Sequence, residues 1–162
     1  MRKYLGMVLF LVAVCGAVGL VYAGQPGLEK SDRKGESEQK MATPSQIKCK
    51  VVFHLDWDQE ERLTLALENI KNLFKEVPPQ QCLVSMVANG KAVNLFRKDR
   101  VGERASDIAE LHKLGVSFKL CRNAMAKNKV EKADLVEVCD VVPAGILELI
   151  NLQQQGFAYV KP

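Results

Sequence analysis

From Lys48 onward, short apolar runs alternate with amphipathic stretches, and this alternation restricts the possible folds more than any other property of the chain. Val51-Val52-Phe53-His54-Leu55 is a continuous apolar run bounded by polar residues, as expected of a central strand covered on both faces. Leu63, Ala66, Leu67, Ile70, Leu73 and Phe74 then recur at three- and four-residue spacing, one stripe of a helix. Asp58 is its expected cap, with Glu61 three positions on as in a capping box, and Pro78-Pro79 end it. A second strand over residues 82–88 runs into Asn89-Gly90, and a short helix over 91–98 and a longer one over 103–114 follow. Val116, Phe118 and Leu120 alternate with Ser117 and Lys119 in a third strand, which delivers Cys121 to its end. Residues 123–134 are polar and read as a loop with a helical turn. Residues 136–142 make a fourth strand, Pro143 opens a helix reaching about Gln155, and residues 157–160 are a last strand. Every connection is long enough to cross over, so the chain predicts an α/β fold: a parallel sheet layered by helices on both sides.

The front of the chain is different. Arg2 and Lys3 precede an almost unbroken apolar run from Leu5 to Leu20, and the small residue Ala23 closes it, the pattern of a secretory signal peptide over residues 1–23. The competing reading is an uncleaved membrane anchor, since the stretch nearly reaches the roughly 20 residues that span a bilayer. Gly16, Gly19 and Ala23 favour cleavage, and either way the folded part is exported, to a periplasm or an equivalent compartment. Residues 24–46, rich in Gly, Glu, Lys, Ser and Gln, have too few apolar side chains to order themselves and read as a flexible linker to a domain over 47–162.

Charge excludes one class of partner. Without Arg2 and Lys3 the 23 basic residues nearly balance the 19 acidic ones, and no basic stripe is interleaved with aromatics, so nucleic acid is not expected. Cys15 lies in the leader, leaving Cys49, Cys82, Cys121 and Cys139 in a compartment that permits disulfides. Four cysteines pair in three ways, and the sequence does not choose among them.

Parallel strands put His54, Asn89 and Cys121 at or near strand carboxyl ends, on the rim where open α/β sheets hold ligands. Arg122, Lys127 and Lys129 follow Cys121 closely, and a positive neighbourhood lowers a thiol from its usual pKa of about 8.5. A reactive sulfur is thus one reading, with His54 and the Asn89 amide as partners. The plainer reading makes Cys121 a small buried hydrophobe, His54 a hydrogen-bonded strand end and Asn89-Gly90 a tight turn. No Cys-x-x-Cys or His-x-x-x-His spacing occurs, and two acids follow the first strand where a phosphate loop would sit, so no metal or nucleotide cofactor is expected. The last helix carries Ile146, Leu147, Leu149, Ile150 and Leu152 on more than one side, and is either deeply buried or shared with another subunit.

Five segments in this order resemble the DsrE/DsrF-like proteins of the sulfur-relay group: Val51-Val52-Phe53-His54, Val87-Ala88-Asn89-Gly90, Leu120-Cys121-Arg122-Asn123-Ala124-Met125, Val141-Val142-Pro143-Ala144-Gly145 and Leu152-Gln153-Gln154-Gln155-Gly156-Phe157-Ala158-Tyr159-Val160. The resemblance implies a three-layer α/β/α fold with a five-stranded parallel sheet, assembly into trimers or hexamers, and a persulfide passed between proteins. Mapped onto this chain, Cys121 would carry the sulfur, with Asn123 and His54 nearby and a donor or acceptor protein as partner. The alternative is a non-catalytic exported oligomer that binds a small ligand or partner protein in the rim crevice. A third option, a redox pair of Cys121 with Cys139, needs their Cα atoms within about 7 Å.

Overall fold

The computed structural model describes residues 47–162; the expected leader and linker lie outside the described residues. Five strands, β1 (Cys49–Leu55), β2 (Cys82–Ala88), β3 (Ser117–Cys121), β4 (Cys139–Val142) and β5 (Ala158–Val160), form one sheet in the order β4-β3-β2-β1-β5, and every pairing is parallel. The helices are α1 (Glu60–Glu76), α2 (Arg104–Lys113), α3 (Arg122–Asn128) and α4 (Gly145–Gln154), with a 3-10 segment Gly90–Phe96 after β2. This is the α/β architecture expected, a five-stranded parallel sheet between helices.

Strand order explains the layers. From β1 to β4 each crossover moves one place in the same direction, and right-handed crossovers then keep their helices on one face. There Val51, Phe53 and Leu55 of β1 pack with Leu63, Ala66, Leu67 and Ile70 of α1, with Ile108 and Leu111 of α2, and with Ala124 and Met125 of α3. The step from β4 to β5 returns across the whole sheet, which places α4 on the other face, where Leu149 and Leu152 cover Val52 and Val87. One helix covers that face alone among the described elements, and strand residues pointing to it include His54, Ser85, Ser117 and Lys119.

Four local expectations are corrected. Asp58 does not cap α1: both of its carboxylate oxygens accept from Arg100 Nη1, at 2.7 and 3.0 Å, and the helix starts after Gln59 with no side-chain cap. The segment after Cys121 is helical, because α3 buries Ala124 and Met125 before Lys129 ends it in the left-handed region at φ 56°. The fourth strand is shorter than 136–142, since the Val136 N–H donates to Phe96 O and the Cys139 N–H to Val136 O in a turn. Pro143 does not open α4; it lies in a bend, and Ala144 is extended, carrying the chain over the rim to the opposite face before Gly145 begins the helix.

Candidate functional site at the carboxyl rim of the sheet

After β3 the chain turns into α3 on one face, and after β4 it turns into α4 on the other. Neighbouring strands whose connections leave in opposite directions open a crevice at their carboxyl ends. Cys121, the last residue of β3, stands at that point.

Gly145, the first residue of α4, closes one side of the crevice. A Cβ there would lie 3.0 Å from Asn89 Cβ, 3.1 Å from Cys121 Cβ and 3.6 Å from Asn89 Nδ2, so the missing side chain lets the helix start sit against both residues. Lys119, two residues before Cys121 on the same face of β3, pairs with Glu148 in the first turn of α4 at 2.5 Å. That half-buried pair ties the helix start to the strand. Amino ends of helices carry partial positive charge, and two of them, of α3 and α4, meet at this rim.

His54 and Asn89 are also brought together: His54 Nε2 is 3.2 Å from Asn89 Oδ1, and His54 Nδ1 is 2.6 Å from the Tyr159 hydroxyl. An amide oxygen only accepts, so Nε2 carries a proton; in the neutral ring Nδ1 then accepts from the tyrosine. The Asn89 amide nitrogen then lies on the side of Gly145, with no hydrogen-bond partner among the described residues. Gly90 serves the backbone. Its φ is +54°, and a Cβ there would lie 2.6 Å from the Asp56 carbonyl oxygen, which accepts from the Lys91 N–H at 3.1 Å. Arg122 and Asn123 are exposed on α3, as are Lys127 and Lys129, so the positive charge expected beside the thiol sits in solvent, where salt screens it.

The cysteines separate into three roles. Cys49 and Cys82 face each other in the β1–β2 register and form a disulfide, with Cα atoms 4.9 Å apart at the amino edge of the sheet. Cys121 and Cys139 are free, and register excludes their pairing. Cys139 is opposite Phe118, three residues from Cys121 and on the other face of the sheet, roughly 10 Å along the strand at about 3.3 Å per residue. Cys139 is fully enclosed, whereas Cys121 keeps 6% of its surface.

Burial pushes the Cys139 thiol up to about 12, with Asp140 adding to the rise and Lys132 opposing it. The folded state therefore holds this proton more tightly than the unfolded chain does. The associated stability is fully present below pH about 9 and is lost as pH rises toward about 12. Denaturant unfolding at rising pH is expected to show that decline, and Cys139→Ala is expected to flatten it; an equally steep decline in the variant assigns it to another group.

Tyr159, Gly145 and the Lys119–Glu148 pair were not among the residues expected at the site. Gly145 and Tyr159 do lie within segments that carry the family resemblance. Among the described residues no group of three or more His, Cys, Asp or Glu is placed to hold a metal ion, and no helix is long and apolar enough to cross a membrane. A surface cavity of about 300 Å³ beside α1 is lined by Glu60, Glu61, Glu68, Thr64, Leu65 and Arg104. Arg104 is already bound to Glu60 at 2.8 Å, which leaves that cavity acidic.

Comparison with known proteins gives a consistent result. The model of the DsrE/DsrF-like family matches residues 49–162. A solved protein of unknown function from Methanobacterium thermoautotrophicum is 34% identical, with a TM-score of 0.64, over 70% of this chain and 99% of that one. A second protein of unknown function, from Bacteroides thetaiotaomicron, shares the fold at 15% identity, with a TM-score of 0.51, over 70% of this chain and 94% of its own. No curated protein matches significantly.

Proposed function

The chain belongs to the DsrE/DsrF-like family, and from that premise we propose that it handles sulfane sulfur, carrying it as a persulfide on Cys121. The observation that carries the reading is the convergence of Cys121, the Asn89 amide and the start of α4 in one crevice. The Cys121 thiolate attacks a sulfur of a polysulfide or a protein persulfide; one S–S bond forms, one breaks, and the rest of the donor leaves as an anion. A second thiolate then attacks the outer sulfur and releases Cys121 unchanged, so the cycle needs no external oxidant or reductant. The terminal sulfur carries negative charge, which the Asn89 N–H and the amino end of α4 are placed to favour.

To test this, the protein is incubated with inorganic polysulfide, digested without reductant and weighed by mass spectrometry. One added sulfur is expected on the Cys121 peptide and none on the Cys139 peptide. A Cys121 that alkylates with iodoacetamide yet never gains sulfur removes the proposal.

The small exposure of Cys121 favours a second reading, a non-catalytic module binding a ligand or partner at the rim. Under it Cys121 stays inert to both reagents.

Export and self-association belong to the same proposal. The Cys49–Cys82 disulfide supports an oxidising compartment. On α4, Ile146, Leu147 and Ile150 are 62%, 52% and 44% exposed, although Leu149 and Leu152 of the same helix are buried. An apolar helix side left open in one chain supports contact with further copies, in a trimer or hexamer. Sedimentation is expected to give an oligomer that Ile146→Glu with Ile150→Glu reduces to monomer; a monomeric parent protein disproves it.

A further inference from the structure

We infer that Tyr159, on the edge strand β5, is a positioning residue that holds the Asn89 amide in register with the Cys121 sulfur by fixing the proton on His54. The inference rests on the sulfur reading for its consequence, but its geometry stands apart from it. β5 lies beside β1, and Tyr159 is opposite Val52 in the register, on the face that His54 shares two residues further along. The diagonal brings the rings to a centroid separation of 5.7 Å with planes tilted by 58°, and the hydroxyl to 2.6 Å from His54 Nδ1.

Each hydrogen bond in this row determines the next. A neutral imidazole has one donor and one acceptor nitrogen. With the tyrosine hydroxyl donating to Nδ1, the ring proton stands on Nε2 and donates to Asn89 Oδ1. Asn89 has one oxygen and one nitrogen, so occupying the oxygen turns its –NH2 toward Gly145, which also borders Cys121. Without Tyr159 the ring is free to place its proton on Nδ1. The bare Nε2 then attracts the Asn89 –NH2, and the amide turns its oxygen toward the crevice, where a persulfide anion would be repelled.

The test pairs Tyr159→Phe, which keeps the ring and removes the hydroxyl, with Asn89→Asp, which keeps an oxygen for His54 and removes the –NH2. At a pH where His54 is neutral, nitrogen NMR of the parent protein is expected to show protonated Nε2 and bare Nδ1. In Tyr159→Phe the two tautomers mix; in Asn89→Asp the parent tautomer persists. Sulfur transfer from loaded Cys121 to a small thiol is expected to slow about fivefold to tenfold in Tyr159→Phe, the effect of one hydrogen bond, and further in Asn89→Asp, which also sets a negative charge beside the sulfur. A parent His54 protonated on Nδ1, or a Tyr159→Phe protein unchanged in tautomer, overturns the inference, as does a shifted tautomer with unchanged transfer. If Cys121 of the parent takes up no sulfur, the sulfur reading fails alone. The relay is then decided by the tautomer together with the iodoacetamide rate at Cys121, which must change in Tyr159→Phe for the inference to stand.

Discussion

Replacing Cys121 by serine is expected to reduce sulfur uptake from polysulfide to the level of a blank, while Cys139→Ser loads like the parent protein. The difference follows from placement. Serine is similar in size to cysteine, but its hydroxyl is a weak nucleophile, and an oxygen cannot hold a sulfane sulfur as a persulfide does. Cys121 ends a strand at the point where α3 and α4 diverge, with 6% of its surface open and the Asn89 amide across Gly145. Cys139 lies on the opposite face with no exposed surface, and its thiol is held protonated far above neutral pH. Placing a hydroxyl at Cys121 costs about 1–3 kcal/mol if it finds no partner, which the rest of the core can absorb. Mass spectrometry of the polysulfide-treated variants, with circular dichroism to confirm folding, checks the expectation. Persistent uptake by Cys121→Ser would move the sulfur to Cys139 or to an opened disulfide, and the proposed site would be wrong.

The architecture was legible because apolar runs of strand length alternate with helical periodicity, and crossover connections leave little choice but a parallel sheet. The same logic places His54, Asn89 and Cys121 on one rim. It could not reveal which sheet edge β5 takes, and so could not bring Tyr159 to His54 across 105 residues of chain. Gly145 stands in the sequence only as the end of the segment Val141-Val142-Pro143-Ala144-Gly145; its purpose depends on how closely α4 approaches β2 and β3. The helix α3 was hidden by its polar composition, since Ala124 and Met125 alone face the core. Asp58 misled because a carboxylate at a helix start has two uses, and Arg100, 42 residues away, takes it. The positive neighbours of Cys121 misled for a similar reason: closeness along the chain did not become closeness in space.

Removing the Cys49–Cys82 bridge, by reduction or by Cys49→Ser with Cys82→Ser, is expected to cost about 3–4 kcal/mol and to lower Tm by about 10–15 °C. The bridge joins residues 33 positions apart, and closing a loop of that length in the unfolded chain removes entropy on this scale. It ties β1 to β2 at the first pair of a register that continues to Leu55 and Ala88, so it holds the two central strands together at the edge farthest from the crevice. The loss should therefore appear in stability and not in chemistry. Below the lowered melting temperature, sulfur loading at Cys121 is expected to match that of the bridged protein, because His54 and Asn89 are set by the far end of the same ladder. Urea titrations of the oxidised, reduced and double-serine forms measure the first expectation, and polysulfide loading of the same samples measures the second. A difference under about 1 kcal/mol would mean that strand pairing alone constrains the loop. Lost loading in a still-folded variant would mean that the bridge acts on the site across the length of the sheet.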